Sequence, residues 1–182
     1  IRAHAALLCG VDLVIELPLF AAASSAPDFA MGAVALLDKL GVVDYLSFGS
    51  ECQEINKLKA IASFLIKYEN EIESGIKDFM SLGHSYPKAK ELYLTTHLKD
   101  ASMIQILKQP NNILGIEYLK ALIRLNSSIT PVCVERIAND HHSTDLTPSI
   151  SSATSIRSTL EQNLIEPLFS RVPDSLHDLY KH

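Results

Sequence analysis

The chain has 182 residues, 47% of them hydrophobic and 20% charged, with a formal net charge of −5. That length can bury a core without disulfides or metals, and the composition excludes wholesale disorder. Cys9, Cys52 and Cys133 are odd in number and widely spaced, with no CxxC or His/Cys ligand pattern, which argues against a disulfide framework or zinc module and fits a reducing, cytoplasmic setting.

Residue 1 is Ile rather than Met, and the opening residues read as a helix entered mid-course, so the chain is expected to be a fragment. Its most apolar stretch, Ala5 to Ala23, is broken by Asp12, Glu16 and Pro18, which is incompatible with a bilayer span. Within it, Val11 to Pro18 is β-branched, apolar and closed by proline, and reads as a buried parallel strand. From Asp28 the pattern turns helical, with Phe29, Val34, Leu36, Leu37 and Leu40 recurring until Gly41. Val42 to Phe48 reads as a second strand, followed by Gly49-Ser50-Glu51, and the three elements predict a βαβ unit.

Residues 54–80 read as one long helix carrying Ile55, Leu58, Ile61, Leu65 and Ile72 on a single face. Gly83-His84-Ser85-Tyr86-Pro87 interrupts, and helical sequence resumes to about Leu107. Gln109-Pro110-Asn111-Asn112 opens another helix, with Ile113, Ile116, Leu119 and Ile123 inward. Thr130 to Ile137 reads as a third strand, residues 138–151 as a polar loop, and residues 152–163 as a final helix. The architecture is α/β with a helical insertion over residues 54–107, and no internal repeat is present. Charge runs from −5 over residues 1–56 to +3 over 57–124 and −3 over 125–182, with no dense basic patch to argue for nucleic acid.

Four segments carry potential chemistry. Ser151-Ser152-Ala153-Thr154-Ser155-Ile156-Arg157 crowds hydroxyls at a helix start, where free N–H groups and the helix dipole hold phosphate, and Arg157 one turn in adds a fork of donors; a serine-rich cap with a solvent-facing arginine is the alternative. Gly49 follows a predicted parallel strand at its carboxyl end, where open α/β sheets receive ligands, or it serves an ordinary turn. Of Asn111 and Asn112, either caps the next helix, and one amide is then spare to read a base or ribose. Arg136 ends the third strand on the same presumed ligand side, or pairs with Glu135 or Asp140. His141-His142 lacks a third ligand nearby and reads as loop, and His84 as a turn residue. No GxSxG elbow supports hydrolase chemistry.

Ser152-Ala-Thr-Ser-Ile-Arg157 resembles the S-x-T-x-x-R signature of the HIGH-type nucleotidyltransferase superfamily. With Gly10 to Pro18, Phe48-Gly-Ser-Glu51, Ser85-Tyr-Pro87, Pro110-Asn-Asn-Ile-Leu-Gly115 and Arg136-Ile137 in that order, nearly the whole chain resembles the bacterial tRNA(Met) cytidine acetate ligase family. The resemblance implies a Rossmann-like, HUP-type parallel sheet, truncated at its N-terminus, spanning residues 1–163, with residues 164–182 beginning a C-terminal helical region. It implies adenylation of acetate by ATP, aided by Mg²⁺, then acetyl transfer to the wobble cytidine of elongator tRNA(Met). By position it makes Gly49, Asn111 or Asn112, Arg136 and Ile137 nucleotide contacts, and Ser152, Thr154 and Arg157 a phosphate clamp, beside which the Ser155 hydroxyl at the helix start is a further phosphate donor. No carboxylate here is marked as a metal ligand, and no membrane partner is implied. The family's catalytic histidines sit in an HxGH loop that this sequence lacks, so the chain by itself is expected to be inactive. A nucleotidyltransferase for a small phosphorylated substrate and a non-catalytic nucleotide-binding scaffold are the competing readings.

Overall fold

The computed structural model describes residues 2–98, 100–135, 153–162 and 166–180. In chain order the described elements are α1 (Arg2–Leu8), α2 (Leu19–Ala22), α3 (Ala26–Leu40), β1 (Tyr45–Ser50), α4 (Ile55–Lys67), α5 (Glu69–Ser81), α6 (Tyr86–His97), α7 (Ala101–Ile106), α8 (Pro110–Arg124), β2 (Thr130–Glu135), α9 (Ala153–Glu161) and α10 (Glu166–Phe169). A 3-10 helix, Asp174–Tyr180, follows. They fall into two compact units: Leu17–Arg136, and Ile1–Glu16 with Ile137–His182.

In the larger unit β1 and β2 pair in parallel, Tyr45 opposite Thr130 through Ser50 opposite Glu135. A parallel pair needs a long crossover, and here α4 to α8 supply it. The core lies where α8 crosses β1 and packs between α3 and α4. Leu58, Ile61, Ile116, Leu119 and Val34 are fully buried there. Glycines set how closely some elements approach, Gly115 and Gly75 among them. A Cβ on Gly115 would lie 2.6 Å from Cε2 of Phe48, so α8 can sit on β1 only without a side chain at that position. A Cβ on Gly75 would lie 1.9 Å from the Tyr93 ring, which fixes the α5–α6 contact in the same way.

The smaller unit is built from short pieces. α1 packs against the 3-10 helix. Among the described residues, Leu168 and Leu176 are buried there, and the Phe169 and His177 rings lie 4.5 Å apart. Among the described residues no helix is long and apolar enough to cross a membrane.

Several expectations need correction. Val11 to Pro18 is not a strand: no ladder partner runs beside it among the described residues, and Leu13 is 67% exposed. β propensity measures fit to a pleated, half-buried surface, and without a neighbouring strand an apolar run gains nothing from pairing. The expected βαβ unit therefore does not form from that run, and the parallel pair joins β1 to β2 instead. The strand expected at Val42 to Phe48 begins at Tyr45 and runs on to Ser50, through Gly49. The long helix of residues 54–80 is two helices, broken at Tyr68 with φ −108° and ψ 23°. α4 packs on α8 while α5 packs on α6, and one straight rod cannot serve both partners. Ile123 faces outward at 46% exposure, whereas Ile116 and Leu119 face the core as expected.

Candidate nucleotide site

The site at the carboxyl end of β1 starts from the alternation of a strand. Phe48 and Ser50 point into the unit, and Ser47 and Gly49 point out. Phe48 fills the gap under α8, its ring 5.8 Å from that of Tyr118. Gly49 has nothing within 4 Å of where a Cβ would stand, so its face is open, unlike the tightly covered Gly75 and Gly115.

Ser50 leads to Asn112, which is fully buried. Oδ1 of Asn112 lies 2.5 Å from the Ser50 hydroxyl and accepts the Cys52 N–H at 2.9 Å. Its Nδ2 donates to the Ile106 carbonyl at 3.2 Å and to Oε1 of Gln109 at 2.6 Å. Cys52 N–H can only donate and the Ile106 carbonyl can only accept, so the amide has one permitted orientation. Both lone pairs and both protons of the side chain are thus used. Asn112 ties the exit of β1, the end of α7 and the start of α8 into one joint.

Asn111 sits beside it, half-buried, and donates from Nδ2 to Oε1 of Glu51 at 2.6 Å. The other carboxylate oxygen of Glu51 accepts the Asn112 backbone N–H at 3.0 Å. Glu51 therefore caps α8 from about 60 residues away, as an anion against a helix start. Partial burial pulls the Glu51 carboxyl upward. Hydrogen bonds from the Asn111 side chain and from the backbone N–H groups of Glu51, Asn112 and Asn111 outweigh it, leaving the group below the ordinary glutamate value.

The capping reading of the asparagines is corrected by the same geometry. Gln109 is the N-cap and Pro110 opens the helix, so Asn111 and Asn112 lie inside the first turn. Sequence reasoning passed over Ser50 and Glu51 as partners of this pair. The available signal was Gln109 itself, a poor cap, which implies that the helix start is satisfied from elsewhere.

The structure thus brings Gly49, Ser50, Glu51, Asn111 and Asn112 together. Thr154, Ser155 and Arg157 lie on α9, in the smaller unit, and Arg157 is exposed. Arg136, Ile137, Ser152 and the His141-His142 pair lie outside the described residues. Among the described residues no group of three or more His, Cys, Asp or Glu side chains is arranged to hold a metal ion.

Comparison with known proteins bears on what such a site serves. The HIGH Nucleotidyl Transferase family model matches residues 1–182. A tRNA(Met) cytidine acetate ligase of Alkaliphilus metalliredigens is 43% identical over 189 residues, covering 98% of this chain and 45% of that protein. The protein of that name from Acetivibrio thermocellus is 48% identical over 157 residues, covering 86% of this chain and 38% of its own length. The chain thus spans less than half the length of these curated relatives. Crystal structures of Thermotoga maritima TmcAL superpose with TM-scores of 0.89 for the apo form and 0.83 for the form bound with alpha-thio ATP. Both are 30% identical and cover 99% of this chain, and 44% and 42% of the respective solved chains. The fold is that of a Rossmann-like nucleotidyltransferase, to which the parallel β1–β2 pair and its helical crossover conform. Matched from its first residue to its last, this chain belongs to the HIGH nucleotidyltransferase family.

Proposed function

We propose that the protein carrying this chain is an ATP-dependent ligase that adenylates acetate and passes the acetyl group to a cytidine of tRNA(Met), in keeping with relatives named tRNA(Met) cytidine acetate ligase and with a solved neighbour bound with alpha-thio ATP. The observation that carries this reading is the division of labour at the end of β1. Asn112 is consumed in holding the joint, while Gly49 offers an open face and Asn111 stands at the carboxyl end of a parallel strand, where α/β sheets receive ligands. Of the asparagine pair, Asn111 is accordingly the nucleotide contact and Asn112 its support.

In the first step a carboxylate oxygen of acetate attacks the α-phosphorus of ATP, and the bond to pyrophosphate breaks. In the second the cytidine amine attacks the acyl carbon, AMP departs and the amine proton is lost. Both steps depend on positioning and on neutralising charge that grows in the transition state. Gly49, Asn111, Arg136 and Ile137 are assigned to hold the nucleotide. Ser152, Thr154, Ser155 and Arg157 are assigned to the phosphates, with Arg157 offering a bidentate fork to the departing pyrophosphate. Mg²⁺ would accompany ATP and supply neutralisation of phosphate charge, and no side chain of this chain is assigned to it. The cytoplasm, where charged tRNA is made and used, is the setting this reading requires.

The test supplies the full-length protein with ATP, acetate and tRNA(Met), following pyrophosphate release and acetylcytidine by mass spectrometry. Acetate-dependent pyrophosphate and acetylated tRNA are expected. Gly49→Val should weaken ATP at least tenfold by filling the open face. Arg157→Ala should weaken an acetyl-adenylate or ATP complex by about 1.5–3 kcal/mol, the scale of hydrogen bonds to a charged group. Pyrophosphate release with a phosphorylated small substrate but not with acetate would reassign the reaction. ATP binding with no turnover of any kind would make the protein a scaffold.

A further inference from the structure

A cavity of about 190 Å³ lies within the larger unit between α4, α6, α7 and α8, and Gly49 is not among its lining residues. Its walls are apolar: Leu65, Leu94, Ile104, Leu107, Ile113 and Ile116. The charged side chains that line it are Lys90, Lys108, Glu91 and Glu117.

Both carboxylates are already committed. Glu91 holds Lys88 at 2.9 Å, and Glu117 holds Lys120 at 2.8 Å, in a pair whose side chains are only 6% and 11% exposed. Neither lysine of the lining makes a hydrogen bond or ion pair through its ammonium group among the described residues. Lys90 feels Glu117 at longer range, offset by the like charge of Lys120, and burial is the chief influence holding its amine below the ordinary lysine value. A partly buried ammonium without a partner is costly to keep, and an anion placed beside it would recover that cost. The cavity therefore combines an apolar pit with two lysines whose ammonium groups make no hydrogen bond or ion pair among the described residues.

We propose that this cavity is a binding site for a small monocarboxylate with a compact apolar tail, its carboxylate on Lys90 and its tail against Leu94, Ile104 and Ile116. The size agrees: an apolar cavity of about 150 Å³ takes a benzene molecule, so this one accommodates a tail of that bulk together with its head group. A few polar groups beside an apolar wall are what orient such a ligand. The site is independent of the ligase reading, because it needs neither ATP nor tRNA.

The experiment measures binding to the full-length protein without ATP, by calorimetry and ligand-observed NMR. Benzoate and hexanoate are the probes, and benzyl alcohol and hexanol their uncharged counterparts. The carboxylates should bind at least tenfold more tightly than the alcohols. Lys90→Met, which keeps the bulk of the side chain and removes its charge, should lose at least tenfold in carboxylate affinity without loss of thermal stability. Lys90→Arg should stay within threefold of the original protein. Saturating ATP should leave the affinity unchanged. Equal binding of acid and alcohol, undiminished binding by Lys90→Met, displacement by ATP, or no binding up to 10 mM probe would each overturn the proposal. Should Lys90→Met not fold, resonances of the isotopically methylated Lys90 amine in the original protein decide the matter. They must shift with benzoate, and a static signal overturns the assignment.

Discussion

Replacing Asn112 by alanine tests the joint at the head of α8 most directly. The side chain is fully buried and makes four hydrogen bonds, and its partners differ in what they can do once it is gone. The Ser50 hydroxyl keeps the Cys52 carbonyl at 3.0 Å, and the Cys52 N–H keeps Ser50 Oγ at 3.2 Å. Gln109 lies at the helix entrance and can turn to water. The Ile106 carbonyl loses its amide donor and keeps only the long bond from the Gln109 N–H, at 3.3 Å. Losing the buried amide's bonds and leaving that carbonyl with one weak donor costs about 1–3 kcal/mol, and the weakened geometry at Ser50 and Cys52 adds about 1 kcal/mol. The expected loss is therefore about 2–4 kcal/mol by urea denaturation. Asn112→Asp should cost at least as much, because it keeps the acceptors, loses both donors and sets a negative charge near Glu51. Asn111→Ala is the control. Half-buried and hydrogen-bonded to an accessible carboxylate, it should cost no more than about 1 kcal/mol while weakening ATP binding two- to tenfold. If Asn112→Ala cost less than 1 kcal/mol, or the two alanine variants were equally destabilised, the division between support and contact would be refuted.

Gly115→Ala places a methyl 2.6 Å from the Phe48 ring. Overpacking of about 1–3 kcal/mol less a helix-propensity gain of about 1 kcal/mol predicts net destabilisation, and Phe48→Leu should relieve it in a double-mutant cycle. Gly75→Ala meets the Tyr93 ring at 1.9 Å, and that ring is stacked 4.1 Å from His97, so its cost should exceed that of Gly115→Ala in denaturant melts. Glu51 titrates below its ordinary value of 4.5, so below that pH the unfolded state binds more protons than the folded one. Stability then falls as pH drops through the lowered value, and Glu51→Gln should flatten this acid limb; an unchanged limb would refute the role.

Features written in neighbouring residues were legible in the sequence. α3 ends at Gly41 because a residue at φ +68° is needed there, and glycine announced it. α8 was visible in its start at Pro110, and β2 in its β-branched run from Thr130. Features set by distant partners were not. Val11 to Pro18 had the composition of a strand but composition does not supply a ladder. The break at Tyr68 carries no glycine or proline, because it follows from α4 and α5 having different neighbours. The Glu51 cap and the Ser50–Asn112 contact each link residues about 60 positions apart, and no local pattern encodes them. Gly49 and the asparagine pair were found as candidates, but only the hydrogen-bond network separates the two amides.

The β1–β2 register has a consequence for how the chain is made. Each opposed pair joins residues about 85 positions apart, as Tyr45 with Thr130. Closing a loop of that length costs about 4 kcal/mol in chain entropy, which must be met before the ladder returns anything. On the ribosome, at 5–20 residues per second, the second strand follows the first by roughly 4 to 17 s. Until then β1 lacks the β2 ladder, and Phe48 lacks the cover of α8, which is itself translated only shortly before β2. The helices between them can form from local contacts as they emerge, so the sheet that carries Gly49 is the last part of this unit to be assembled and the part most in need of protection during synthesis.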